Sequence, residues 1–295
     1  MATLAKLASR NAKRAELFEV NADLIIGAPF STVHYTRKAQ LNFYVMGIPY
    51  SGKTSQVPEV LSGGEGQSAV PGLKKVTRLL HCPSHPALKG TARVREIVSA
   101  LRAKGHALEY REIIGRPNAE VIAAIQECDI VIDQIYSDTP LSGFATESAW
   151  YGKAVVVGGY GFEILRNHVP QRMWPPSKTC HPDAVEQALE ELIVDTDERD
   201  RVGKSLHDFV HTHWSAEEVA RRFLTLIRGE EIPEDWWLYP EDVVYFHGIG
   251  QTEEQTRAKI QALVQAHGVQ ALGLSRKPAL EQACLAFAGA GIGRA

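Results

Sequence analysis

The sequence predicts an α/β protein organised on a Rossmann-like parallel sheet, and three observations carry that expectation. Between residues 76 and 158, strand-length apolar runs alternate with helix-length segments: VTRLLH (76–81), a run over 107–114, DIVID (129–133) and AVVV (154–157). The segment after the first run places Val94, Ile97, Val98 and Leu101 at one-face helical spacing. Breakers fall between the elements, at Lys104-Gly105 and Pro117-Asn118. Strands alternating with helices at this spacing are joined by right-handed crossovers and therefore pair in parallel.

Taken in order, residues 1–18 form a basic amphipathic stretch, residues 22–27 an apolar strand and residues 41–46 a second apolar run. Residues 49–72 are rich in Gly, Ser and Pro and read as a linker, which closes a first segment over 1–73. A second segment, 74–230, holds the regular pattern. It runs through the four strands above, a helix carrying Val121, Ile122 and Ile125, and a short helix near 147–151. Helices follow near 183–193, 199–213 and 215–227, the last opened by Ser215 and Glu218 at capping-box spacing. An acidic connector containing Trp236 and Trp237 then leads into a predicted small βαβα extension, the third segment, 231–295. Its elements are a strand at 243–247, a helix at 252–267 opened by Thr252 and Gln255, a strand at 269–274 and a helix at 278–287. The tryptophans read as anchors that dock the extension on the main domain.

Composition narrows the function classes. With 295 residues, 44% hydrophobic and 23% charged, the chain is long enough for one good core and a smaller second one. A net charge of −3 supplies no broad basic field, so nucleic acid is not an expected partner. The four cysteines form no CxxC pair, so neither a zinc site nor a disulfide framework is indicated, and reduced, cytoplasmic thiols are expected. No apolar run reaches the roughly 20 residues that span a bilayer, and no signal-peptide core is seen at the start.

In a parallel sheet the chemistry belongs at the strand carboxyl ends, where helix amino termini converge with unpaired N–H groups and positive partial charge. Three loops qualify. In HCPSHPALKGT (81–91), Lys89 can set an ammonium on a diphosphate while Gly90 admits the backbone; the same three residues, 89–91, also read as a plain helix start. The loop 134–146 leads into a helix whose early turn carries Glu147, either a ligand for a polar substrate or a carboxylate stabilised by the helix dipole. The third, Gly158 to Gly161, is flexible enough to wrap a ligand and equally common in ordinary loops.

The combination is more specific than its parts. HCPS (81–84), KGT (89–91), ECDIVIDQ (127–134), and Glu147 followed by Ala149, Gly152-Lys153 and a strand resemble the donor-binding half of GT-B glycosyltransferases, especially the retaining, family-four-like group that uses nucleotide-sugar donors. Residues 197–227 look like the closing helices of that half, and residues 21–49 are similar to the last strand of the acceptor half and its crossing. The resemblance implies a nucleotide-diphosphate sugar as donor substrate, with no metal and no resident cofactor. It implies catalytic roles for Lys89, on the diphosphate, and Glu147, on the ribose hydroxyls. Ser84, His85 and Gly90 would line the same pocket, Ile114 and Gly115 would lie beside the base, and Ser142, Gly143 and Phe144 under the phosphates and sugar. The first acid of the family's paired motif falls on Thr139, so its contact with the transferred sugar would be missing or would pass to Asp138. Only the last segment of an acceptor half precedes the donor half. The expected function is therefore sugar transfer to an unknown glycan, lipid or protein acceptor. The alternatives are a non-catalytic binding or assembly module, or one half of a split enzyme whose partner chain supplies the acceptor half.

Other motifs compete less well. GIPYSGKT (47–54) matches the P-loop pattern, and LSGGEGQ (61–67) superficially resembles the transport-ATPase signature, yet Pro58 and Gly63-Gly64 interrupt the helix a P-loop requires. His207, His211 and His213 lack a carboxylate or cysteine at matching spacing and read as a solvated helix face. No G-x-S-x-G elbow supports a serine triad. Lys6, Arg10, Lys13 and Arg14 read either as a solvated face or as a peripheral contact with an anionic membrane.

Overall fold

The computed structural model describes residues 1–51 and 76–289. Most of the predicted linker, Lys53 and Thr54 of the P-loop match, and the LSGGEGQ segment lie outside the described residues. The strands in chain order are β1 (Ile26–Gly27), β2 (Gln40–Asn42), β3 (Thr77–His81), β4 (Leu108–Glu112), β5 (Ile130–Gln134), β6 (Ala154–Gly158), β7 (Lys178–Cys180) and β8 (Trp237–Leu238). The chain divides into two compact units, one made of Met1–Met46, Glu163–Trp174 and Thr225–Ala295, the other of Gly47–Phe162 and Pro175–Leu224.

The second unit contains the predicted parallel sheet, with five strands in the order β4-β3-β5-β6-β7, all parallel. Every residue of β5 and β6 is buried, as expected of strands covered by helices on both faces. The crossover from β3 to β4 runs across the sheet in the opposite sense to those from β4 to β5 and β5 to β6. Right-handedness then puts helix Thr91–Ala103 on one face and helices Asn118–Glu127 and Gly143–Trp150 on the other. Contacts agree: Thr91–Ala103 packs against Val185–Val194, and Asn118–Glu127 against Gly143–Trp150. Val94, Ile97, Val98 and Leu101 are the buried face that their spacing predicts. Each such aliphatic side chain contributes about 1.5–3 kcal/mol.

Helix Thr196–His213 starts earlier than predicted because Asp195 Oδ1 accepts the amide of Glu198 at 2.9 Å. It also approaches the sheet very closely. A Cβ on Gly203 would lie 2.2 Å from the carbonyl oxygen of Gly152, a backbone atom that cannot move aside.

The first unit holds a small sheet in the order β1-β2-β8, parallel between β1 and β2 and antiparallel between β2 and β8. The expected strand at 22–27 shortens to β1. The apolar run at 41–46 splits, because Asn42 Oδ1 accepts the amide of Tyr44 at 3.0 Å and turns the chain into the helical turn Phe43–Met46. Trp237 pairs through its backbone with Leu41 of β2.

The expected βαβα extension is not what forms. Residues 243–247 make no strand; the carbonyl of Tyr245 is bound by the His34 ring instead of a ladder partner. Val269–Leu272 is a 3₁₀ turn between Gly268 (φ 74°) and Gly273 (φ 70°), so its apolar residues fill a helical cluster with Leu263, Leu280 and Leu285. The Thr252 capping box is present in both directions, Gln255 N to Thr252 Oγ1 at 3.2 Å and Thr252 N to Gln255 Oε1 at 3.1 Å.

Gly203→Ala is expected to lower stability by on the order of 2 kcal/mol through overpacking against Gly152. A thermal melt should show a drop of several degrees, and an unchanged midpoint would contradict the close approach.

Candidate functional site

Strand order reverses between β3 and β5, so the crevice between their carboxyl ends is the switch point where ligands bind in open α/β sheets. The last paired positions there are Leu80 with Val131. Beyond them the buried His81 spans the gap, its Nδ1 2.8 Å from the Ile132 carbonyl and its Nε2 3.0 Å from the Thr91 hydroxyl. A carbonyl can only accept, so Nδ1–H donates and Nε2 accepts from Thr91. Burial pushes the pKa of His81 below its ordinary value and keeps the ring neutral.

One residue on, β5 contains an irregularity: its register with β6 shifts between Ile132 and Gln134, leaving Asp133 as the extra residue. Neighbouring residues of a regular strand point to opposite faces. Here the bulge brings both side chains to the same cation. Lys89 Nζ donates to Asp133 Oδ1 at 2.9 Å and to Gln134 Oε1 at 3.0 Å. The Asp133 side chain is fully buried and that of Lys89 is 17% exposed. Asp133 Oδ2 has no hydrogen-bond partner among the described residues. The loop after β3 is thereby fixed to the end of β5, a contact reinforced by the bond from Ile135 N to the Lys89 carbonyl at 3.3 Å.

The loop after β5 is built around Asp138. Its Oδ1 accepts the Gly161 amide at 2.7 Å, and a Cβ on Gly159 would lie 2.4 Å from the same oxygen, so the loops after β5 and β6 meet at a glycine. Burial pushes the Asp138 carboxyl up from 3.8 to about 6, against the opposing pull of the Gly161 and Tyr160 amides. Tyr136 stacks on Tyr160 with centroids 6.4 Å apart, and His181 meets Tyr160 edge-on at 5.1 Å.

The residues expected from the sequence take different places in this arrangement. Ser84 and His85 are exposed at the entrance of the turn Pro86–Lys89. Gly90 adopts φ 72° and its missing Cβ makes room for Ile135, 2.8 Å from the ideal position, so this glycine serves packing and not ligand clearance. Asp138 is turned into the protein under Gly161, and Ser137 Oγ donates to the Thr139 hydroxyl at 3.3 Å. Ser142 precedes helix Gly143–Trp150 without capping it, and its Oγ is buried with no partner among the described residues. Gly143 opens onto free space, and Phe144 follows in the first turn. Ile114 is 46% exposed, and Gly115 (φ 64°) also faces open space.

Glu147 accepts a bond from Asn118 Nδ2 at 2.9 Å, which links it to the first residue of helix Asn118–Glu127. Its charge also acts on Cys82, where the loop after β3 begins: burial first, with Glu147 contributing, pushes that thiol up to about 12. Lys89 is thus held by the end of β5, and Glu147 by the first residue of helix Asn118–Glu127.

Sequence reasoning missed Asp133, Gln134 and Tyr136. The signal for Asp133 was present, because an acid closing an otherwise apolar buried strand must find a cation. No group of three or more His, Cys, Asp or Glu side chains fit to hold a metal occurs among the described residues. The ring of His211 stacks on Trp150 at 3.7 Å. No protein-family model matches the chain, and no curated protein matches it.

Lys89→Met should destabilise the fold by roughly 3 kcal/mol, since it strands a buried carboxylate, and Lys89→Met/Asp133→Asn should recover most of that loss. Urea unfolding of the two variants checks this; equal stability of both would show that the pair is not buried. For Asp138, the raised pKa means the native state binds this proton more tightly than the unfolded chain. Its contribution is therefore most favourable below about pH 4 and is lost as pH rises through about 6. Asp138→Asn keeps the acceptor for Gly161, so it should match the wild type near pH 4 and exceed it at pH 7 by on the order of 2 kcal/mol. A stability difference independent of pH would contradict the assignment.

Proposed function

We propose that the α/β unit binds a nucleoside diphosphate sugar across the carboxyl ends of β3, β5 and β6 and acts as the donor half of a GT-B-like glycosyltransferase. The observation that carries this reading is the anchored ammonium at the switch point. An ammonium has three N–H donors. Two are held by Asp133 and Gln134, and the exposed part of Lys89 leaves the third for a phosphate oxygen.

Asp133 neutralises Lys89, so in this reading the lysine offers direction more than net charge. Charge developing on the leaving diphosphate would be met mainly by the uncapped first turn of Gly143–Trp150, beside open Gly143. A single preorganised donor of this kind is worth about 10²–10³ in rate. Glu147 would accept the ribose hydroxyls, and the Tyr136–Tyr160 stack supplies a flat apolar edge beside the same loops. The nucleotide sugar is the donor substrate, and no resident cofactor belongs to this reading. The acceptor, a glycan, lipid or protein, would be presented by the rest of the chain or by a partner chain.

A second reading, a non-catalytic module that retains nucleotide binding, is favoured by one observation. Neither Asp138, buried under Gly161, nor Thr139 presents a carboxylate where the first acid of the paired motif would meet the sugar.

Calorimetric titration of the full chain with uridine, guanosine and adenosine diphosphates tests the binding step. One of the three should bind. Lys89→Met/Asp133→Asn should weaken that binding about tenfold or more, the loss of one charge-assisted donor. Glu147→Gln should reduce the preference for ribose over 2′-deoxyribose. No heat with any diphosphate sinks the proposal, whereas binding without turnover of any nucleotide sugar selects the second reading.

A further inference from the structure

The amino-terminal helix Ala2–Asn21 belongs to the first unit and owes nothing to the nucleotide reading. It is docked by one face: Ala8 is buried, and the ideal Cβ of Gly273 would sit 3.1 Å from the Ala8 carbonyl. Along another stripe, Lys6, Arg10, Lys13 and Arg14 follow at helical spacing, with Leu17 on the same exposed side of the helix. No acidic residue occurs before Glu16. Among the described residues none of these four cations makes an ion pair, while Arg37 and Arg276 of the same unit pair with Glu241 and Glu19. Like charges four apart, Lys6 with Arg10 and Arg10 with Arg14, repel one another. The stripe is unfavourable by itself and is relieved by an anionic surface.

The apolar groups beside it decide which surface. Leu17, Phe18 and Val20 are 60%, 53% and 79% exposed. Arg14 and Phe18 also line a groove of about 480 Å³, with Leu24, Ile25 and Ile26 on its wall. A nucleic acid would engage the cations and leave these side chains in water. A lipid interface takes both, with phosphates on the basic stripe and apolar side chains at the acyl boundary.

We propose that this helix is a docking face for an anionic lipid bilayer. Phosphate headgroups meet Lys6, Arg10, Lys13 and Arg14, while Leu17, Phe18 and the adjoining groove meet the apolar edge. The test is co-sedimentation of the full chain with vesicles of phosphatidylcholine, alone or with about 30 mol% phosphatidylglycerol, a leaflet with a negative surface potential. The chain should pellet with the anionic vesicles, not the neutral ones, and be released at about 1 M salt, where the Debye length is about 3 Å. Arg10→Glu/Arg14→Glu should lower partitioning at least about tenfold, since each cation near such a surface contributes roughly fivefold. Leu17→Ser/Phe18→Ser should lower it at unchanged charge. These side chains are exposed, so the thermal melt of each variant should match the wild type. Equal binding to neutral vesicles, no binding to anionic ones, variants that pellet like the wild type, or preferential binding of a single-stranded oligonucleotide would each overturn the proposal.

Discussion

The bulge at Asp133 is the constraint around which the carboxyl end of the sheet is organised. It places two consecutive side chains of a buried strand against a single ammonium, and the buried carboxylate in turn requires that ammonium to stay. Lys89 is therefore fixed from both sides, by its ion pair and by the main-chain bond from Ile135. Gly90 follows from the same packing, because only a residue without a Cβ lets the loop lie on Ile135. His81 completes the closure by supplying from its ring the bond to Ile132 at the end of the strand pairing.

That rigidity has a functional sense and a functional limit. A lysine held by two acceptors loses little further side-chain freedom when it meets a ligand, so its remaining donor is preorganised. The same pairing offsets its charge, so in the proposed reading the burden of stabilising a diphosphate would fall on the amides at the start of Gly143–Trp150. Asp138 contributes indirectly: it ties the loop after β5 to the glycines after β6 and sets the shape of the crevice rim.

How far this was legible in the sequence follows from local versus non-local causes. The central strands β5 and β6 were readable because continuous apolar runs are what a doubly covered parallel strand needs. Helix Thr91–Ala103 and the Thr252 cap were readable because their signals lie within a few residues. β7 was not, since three half-exposed residues carry no periodic signal, and its place at the edge depends on pairing with β6. Residues 269–274 looked like a strand, and the two positive-φ glycines that bracket the turn decide otherwise. In the site, Lys89 could be picked out as a cation in the loop beyond the end of β3, and Glu147 only as an acid within the helix Gly143–Trp150. The bulge that couples Lys89 to Asp133 could not, because an extra residue in a strand leaves the apolar pattern DIVID unchanged.

A crystal structure of the full chain soaked in turn with uridine, guanosine and adenosine diphosphate sugars tests the central claim most directly. The account predicts one of them at the switch point, a phosphate oxygen about 3 Å from Lys89 Nζ while the Asp133 bond persists, and the ribose on Glu147. A nucleotide seated on another surface, or Lys89 saturated by the protein with no phosphate in reach, would contradict it.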